Sequence, residues 1–397
     1  MMGLLAGLIS NRTWISEVTL CLLFGAAIGP LLNYVAKSEL FGNDQYRTLQ
    51  EVARITLGIA VMGTALRLPF SFLRRYWRDL AVVLMIGLVL MWLTGAAFAA
   101  LFLGVGVLPA LLIGAIVAPT DPVVAASIVS SRVADEKVPA PLRHLISAES
   151  AANDGLGLLF VMLPILLLTK SPDVAIKDWL VHVLMWEVAG AILIGGAIGW
   201  AAGKLFVWAK KKPYSEDESL LTIGVALSLT VLAGLELLGS DGILAVFVAG
   251  LMFNRGISEI ETRQHHLHGA ITRFFDLPVF VLIGVLLPWS GWMDLGWRGV
   301  ALALALVALK RLPWWLLLKP WIASLKRREE ALFAGWFGPI GVAAAYYALL
   351  GQRDTGLHDL WTITSLVIFV SVILHGVSAT PLSQRLGARL AGEAKQQ

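Results

Sequence analysis

Apolar residues in this chain come in long unbroken runs, without the alternation of a half-buried strand or the three-and-four spacing of a soluble helix. Runs near 14–32, 49–66, 79–103, 107–129, 145–168, 180–208, 219–238, 242–254, 270–288, 297–318, 330–350 and 361–381 make twelve candidate spans. An α-helix needs about 20 apolar residues to cross a bilayer core, so each run predicts a membrane helix. The run at 242–254 is short and the one at 180–208 is long, which leaves their edges loose by several residues. The fold class expected is an all-α polytopic membrane protein of twelve helices, or thirteen if Met1–Ile9 is the remnant of another. Met1–Ile9 is too short to span. It also lacks the basic start and small-residue cleavage site of a secretory signal.

Composition excludes a soluble globular chain. Hydrophobic residues make up 58% of the 397, charged residues only 15%, and mean hydropathy is +0.78. Basic residues settle the expected orientation. One set of flanks, from Arg12 through Arg74, Arg75, Lys210–Lys212 and Lys326–Arg328 to Arg389, holds 21 of the 31 Lys and Arg. By the positive-inside rule that side is cytoplasmic, so both termini are expected in the cytoplasm of a multi-pass protein of the cell's inner (plasma) membrane. These loops also account for the basic isoelectric point, so the expected partners include a lipid bilayer and no nucleic acid. The lone Cys21 excludes an intramolecular disulfide. Loops are short and no soluble domain appears, so the chain reads as one membrane domain, 1–397, whose function lies among the helices. In space it is expected to divide into a dimerisation unit and a transport core that includes 79–168 and 297–381.

Polar residues interrupt the pattern at a few places. Ala118-Pro-Thr-Asp-Pro122 sets Asp121 and two prolines inside one run. Proline removes a backbone donor and clashes with the preceding turn, so a helix there must break, and freed carbonyls must line a cavity or find partners. The end of one half-helix attracts cations and the start of the next attracts anions, which Asp121 can answer. Thr120 offers a hydroxyl and a carbonyl to an ion. Asp121 as the cap of a kinked helix is the plainer reading and is compatible with the first. Gly338-Pro339-Ile340-Gly341 is a second candidate break.

The segment Ala148-Glu-Ser-Ala-Ala-Asn-Asp154 opens another apolar run. A carboxylate in hydrocarbon marks an ion or proton path by default. Ser150 and Asp154 share a helix face at i, i+4, so both can point into one ion cavity while Glu149, five residues from Asp154, turns elsewhere. Burial disfavours a charged carboxylate, so a proton can compete with a cation for Asp154. The plain alternative is a water-facing Asn153-Asp154 helix start with its span beginning near Leu156. Lys310 and Arg311 close a stretch with no charge from Val300 to Leu309, and a guanidinium there needs an acid such as Glu149. Lys310 has the alternative of snorkelling to the interface. Arg54 follows Glu51 at i+3 and reads as structural. His265, His266 and His268 sit in a cytoplasmic loop expected over Arg255–Gly269, where solvation is a better account than metal binding or pH sensing. Tryptophans near span ends, such as Trp289, Trp292 and Trp297, fit interfacial belts.

Together with Gly335-Trp-Phe-Gly-Pro-Ile-Gly341 and His375-Gly-Val-Ser-Ala-Thr-Pro381, these segments resemble, in order, the signatures of the NhaP-like sodium/proton antiporters. That is the monovalent cation:proton antiporter family that includes the eukaryotic sodium/proton exchangers. The resemblance runs over nearly the whole chain. It implies a fold with two crossed, unwound helices, a homodimer and an elevator-like alternating-access cycle. It makes Asp154 the cation- and proton-binding carboxylate, with Thr120 and Ser150 as ligands to the transported Na⁺ and with Asn153 and Asp121 in support. Glu149 would pair with the basic residue of the late helix, Arg311 first and Lys310 second. The Asn-Asp form implies electroneutral exchange of one proton for one Na⁺ or Li⁺, without ATP or any cofactor. Many members carry Arg where this chain has Ile340, so any charge balance there falls to Lys310 or Arg311. The chain also stops shortly after Pro381, without the family's long cytoplasmic tail.

Exchange of K⁺ for H⁺ by the same machinery is the nearest alternative, since a few oxygen ligands do not fix cavity size. An intramembrane aspartyl hydrolase would want a second acid and a Gly-x-Gly-Asp pattern, but Gly155-Leu-Gly157 follows the acid. A channel or non-transporting sensor is weakly opposed by the interrupted helices. The expected protein is a transporter and not an enzyme.

Overall fold

Each of the twelve apolar runs is helical where described, and the runs 107–129, 297–318 and 330–350 are each divided between two helices. A computed structural model describes residues 14–36, 44–129, 132–211, 217–257 and 262–394, and among these there is no strand. The helices are α1 (Glu17–Ala36), α2 (Gln45–Arg67), α3 (Phe70–Leu103), α4 (Val107–Val117), α5 (Pro122–Val129), α6 (Arg132–Lys137), α7 (Ala140–Thr169) and α8 (Pro172–Lys210). They continue as α9 (Asp217–Leu237), α10 (Gly242–Ile257), α11 (Thr262–Val285), α12 (Trp289–Leu309), α13 (Leu312–Leu318), α14 (Arg328–Trp336), α15 (Val342–Thr355) and α16 (Asp359–Ala394). Seven segments are long and apolar enough to cross a membrane, and three shorter apolar helices accompany them among the described residues.

The described structure changes three expectations. The stretch Ser130–His144 is more than a loop, because it contains α6 and the first turn of α7. Starting at Ala140, α7 carries Glu149, Asn153 and Asp154 into its interior, and all three are buried. That removes the reading in which they form a water-facing helix start. His265, His266 and His268 have their backbone in the first turns of α11 and not in a loop, since no glycine or proline stops the helix before Gly269. Their side chains lie outside the described residues.

Packing separates an enclosed centre from a lipid-like periphery. The apolar part of Val107–Ala126 is 78% buried, whereas that of Pro172–Lys210 is 28% buried. Helix α8 therefore covers the outside. It reaches α10 through small residues: a side chain at Gly195 or Gly199 would collide with the α10 backbone at Ala245 or Ala249. Helices without side chains between them pack by close backbone contact, a common solution where lipid gives no hydrophobic drive. Helix α7 packs against α4, α5, α15, α10 and α2, and α2 packs also against α10 and α15.

One buried acid has a purely architectural task. Asp79 on α3 accepts hydrogen bonds from the backbone N–H of Ala323 (3.1 Å) and Ser324 (2.6 Å), which ties down the turn between α13 and α14. Three other buried acids, Asp121, Glu149 and Asp154, gather around two helix breaks.

Candidate functional site

The first break separates α4 from α5. Pro119 and Pro122 prevent a continuous ladder, so α4 ends at Val117 with carbonyls unmet and α5 begins at Pro122 with amides unmet. The carbonyls are met by Lys310, whose Nζ donates to Val117 O at 2.6 Å and Ala118 O at 3.3 Å. Lys310 is 1% exposed, so it does not snorkel. The amides are met by Asp121, whose Oδ1 accepts from Val123 N (2.7 Å) and Val124 N (3.1 Å). Each end of the break thus receives the charge its helix dipole favours.

The second break lies between α14 and α15, over Phe337–Gly341, and it meets the first. Asp121 N donates to Pro339 O at 2.8 Å, and Val342 N, at the start of α15, donates to Asp121 Oδ2. One carboxylate therefore caps two helices. Glycine is required beside it, because a Cβ at Gly341 would occupy the space of the Asp121 carboxylate, and one at Gly338 would strike the Arg311 side chain. From α16, Ser371 Oγ accepts from Ile340 N at 2.8 Å. His375 stands behind it with its Nε2 2.9 Å from Trp336 O and its Nδ1 2.8 Å from Ser371 O and 3.1 Å from Ser371 Oγ. Ile340 is buried and uses only its backbone here. The cations of the site come from the α12–α13 junction.

Helix α7 supplies the rest. Asn153 Oδ1 accepts from Thr120 N (3.1 Å), while its Nδ2 donates to Thr120 Oγ1 and to Glu149 Oε1, both at 2.9 Å. Thr120 Oγ1 donates to Glu149 Oε2 at 3.2 Å. Its only proton is then used, so Ser150 is the donor in the 3.0 Å contact between the two hydroxyls. Glu149 does not turn elsewhere, as its spacing from Asp154 suggested. It joins the Thr120–Ser150–Asn153 network because residues 149 and 153 are themselves an i, i+4 pair. The choice between two cations is also resolved: Arg311 Nη1 lies 2.6 Å from Glu149 Oε1, both side chains being buried. Arg311 further donates from Nε to Ala334 O (2.9 Å) and lies over the Trp315 ring at 4.2 Å.

Asp154 is the exception. It is 0% exposed, yet neither carboxylate oxygen has a hydrogen-bond partner among the described residues. A buried ionised carboxylate without a partner is very unfavourable. Asp154 therefore needs a proton or a bound cation, and Ser150, one turn before it, keeps lone pairs to share such an ion.

Relatives of known name match more than nine-tenths of this chain. The family described as sodium/hydrogen exchanger, transmembrane, matches residues 1–385. The chain belongs to this family. It is 30% identical over 394 residues to a Na⁺/H⁺ antiporter of Schizosaccharomyces pombe, covering 93% of this chain and 84% of that protein. It is 32% identical over 403 residues to Na⁺/H⁺ antiporter 2 of Zygosaccharomyces rouxii, covering 93% of this chain and 50% of that one. The chain thus spans about half the length of several curated relatives it matches. In fold it is similar to the sodium proton antiporter MjNhaP1 of Methanocaldococcus jannaschii, with a TM-score of 0.79 at 21% identity over 98% of this chain and 95% of that one. That likeness shows the all-helical antiporter fold.

Sequence reasoning missed several parts of this site. Lys310, an alternative partner for Glu149 by sequence, serves the carbonyl end of α4, a role that the prolines' freed carbonyls could have signalled. His375 has no task that its motif reveals. Tyr347 on α15 gave no signal, and its hydroxyl donates to the backbone carbonyl of Asp154. Arg54 holds Glu51 at 2.8 Å, as its spacing suggested, and pairs with Glu236 as well.

Proposed function

We propose that this exchanger-family chain is a secondary antiporter that trades Na⁺, or Li⁺, for H⁺, with Asp154 loaded alternately by cation and proton. The carrying observation is the full burial of Asp154 with both oxygens unpartnered, beside a network in which every other ionised group has an answer. Glu149 is neutralised by Arg311, Asp121 by two helix starts and Lys310 by a helix end. One carboxylate is left, which supports a one-for-one electroneutral exchange. The names of the relatives support the same activity.

In this reading Asp154 and the Ser150 hydroxyl hold the cation with Thr120, and Asn153 and Asp121 keep the two breaks in shape. Helices within 79–168 and 297–381 move as a transport core against the others, and a second copy of the chain completes a homodimer. The basic flanks put both termini in the cytoplasm, with the protein in the plasma or inner membrane.

The test is reconstitution of the purified protein in liposomes with a pH-sensitive dye inside. A proton gradient is imposed and Na⁺, Li⁺ or K⁺ is added outside, with and without a voltage clamp. Dye recovery with Na⁺ or Li⁺ that ignores voltage and disappears in Asp154→Asn is the expected result. Recovery in Asp154→Asn would remove the assignment, and recovery with K⁺ alone would make the protein a K⁺/H⁺ exchanger.

A further inference from the structure

A second carboxylate has an oxygen that the fold does not use. At the turn from α9 to α10, Asp241 caps α10 with Oδ1, which accepts from Ile243 N (2.9 Å) and Leu244 N (3.1 Å). Its Oδ2 has no hydrogen-bond partner among the described residues, although the residue is only 4% exposed. One oxygen satisfies a helix cap. The other is available for something else.

Asp241 lines a cleft of about 70 Å³ together with Arg54, Leu158, Glu236, Tyr346 and Tyr347. A water needs roughly 10–15 Å³ on this measure, so the space holds an ion with part of its hydration shell. Charge in the cleft favours a cation. Arg54 is already paired with both Glu51 and Glu236, and Arg353 is paired with Asp354 at 2.8 Å. Glu187 adds a carboxylate beside Ser240, whose Oγ donates to Glu187 O at 3.2 Å. Its Oε1 faces His182 at 3.5 Å, while its buried Oε2 is unpartnered among the described residues. Carboxylates therefore outnumber the cations around Asp241.

The cleft also reaches the backbone of Asp154 through Tyr347. Tyr347 lines it and donates its hydroxyl to Asp154 O, and Leu158 lies one turn beyond Asp154 on α7. The space beside Gly157 is filled by the Tyr347 ring and Pro119, so the tyrosine stands between the cleft and the helix breaks.

We infer that Asp241 is a staging site where a partly hydrated monovalent cation binds before passing Tyr347 to Asp154. The inference rests on the antiporter reading above. With a single protein carboxylate oxygen and room for water, the site keeps the ion hydrated and holds it weakly. The basic-flank orientation puts it on the outer side.

The test uses the full chain in liposomes, with Na⁺ titrated separately from each side of the membrane at low ionic strength. Asp241→Asn and Asp241→Ser both retain a capping side chain, so α10 keeps its start. The apparent KM for Na⁺ applied on the cleft side should rise about fivefold in both variants, with a change of less than about twofold from the opposite side. Equal effects on the two sides, or none on either, would overturn the staging site. A second readout is the thermal shift caused by Na⁺ on purified protein. Asp154→Asn should keep a weak, saturable shift that the Asp154→Asn/Asp241→Asn double variant lacks, and a shift that persists in the double variant also overturns it. Exchange retained by Asp154→Asn would instead sink the role of Asp154, absence of cation-driven exchange in the parent would sink the antiporter reading, and the residual shift would still judge Asp241 on its own.

Discussion

Removing Glu149 should cost more than removing its partner Arg311. In Glu149→Ala the guanidinium stays 2% exposed and keeps only the Ala334 carbonyl and the Trp315 face. Breaking a buried ion pair from one side costs about 3 to 5 kcal/mol. Asn153 Nδ2 and Thr120 Oγ1 lose acceptors in the same step, which adds about 1 kcal/mol for each donor left unmet. In Arg311→Met the carboxylate keeps both of those donors, so the loss falls at the lower end of the range. The double variant Glu149→Gln/Arg311→Met buries no charge and retains an acceptor for Asn153, so it should be more stable than Glu149→Ala. Reversible unfolding in mixed detergent micelles measures all four corners of the cycle from Glu149→Gln and Arg311→Met. A coupling of about 2 kcal/mol or more is expected, and additivity within about 0.5 kcal/mol would refute the pairing.

Three further outcomes follow from the helix breaks. Asp121→Asn should lower thermal stability by about 1 to 3 kcal/mol, because an amide turns a donor toward one of the three N–H groups that the carboxylate accepts; an unchanged melting point would remove the shared cap. Gly341→Ala should do comparable damage by placing its Cβ in the Asp121 carboxylate, about 1 to 3 kcal/mol in the same assay, and a neutral result would mean the two breaks do not touch there. Lys310→Met should destabilise the end of α4 by about 1 to 3 kcal/mol by leaving the Val117 and Ala118 carbonyls unmet, which hydrogen exchange at residues 113–118 would register as lost protection.

The span pattern was legible because a bilayer-crossing helix needs only length and apolarity. The breaks were legible because proline and glycine act locally, and Glu149 with Arg311 because a buried charge needs an opposite one. What escaped depends on contacts between distant segments. Helical spacing sends Glu149 away from Asp154, but spacing cannot show that Thr120 arrives from another helix to receive it. The destination of Lys310 required knowing that α12 ends against the end of α4. Asp241 sits in an ordinary-looking Gly-Ser-Asp-Gly turn, and only the fold reveals that its second oxygen lacks a partner while facing a cleft.

The double duty of Asp121 has a mechanical consequence. Its backbone N–H and both carboxylate oxygens fasten the start of α5 to Pro339 and the start of α15, while Asn153 fastens Thr120 to α7. Parting the two breaks to let an ion through would strand several buried donors and acceptors at once, at about 1 to 3 kcal/mol for each group left unmet. Carrying α5, α7 and α15 together past their neighbours would break none of these bonds. The rivet at Asp121 therefore ties the starts of α5 and α15 to α7 as one unit, so a displacement that leaves these bonds intact has to occur at the unit's edge, where α7 meets α2 and α10 and α15 meets α2.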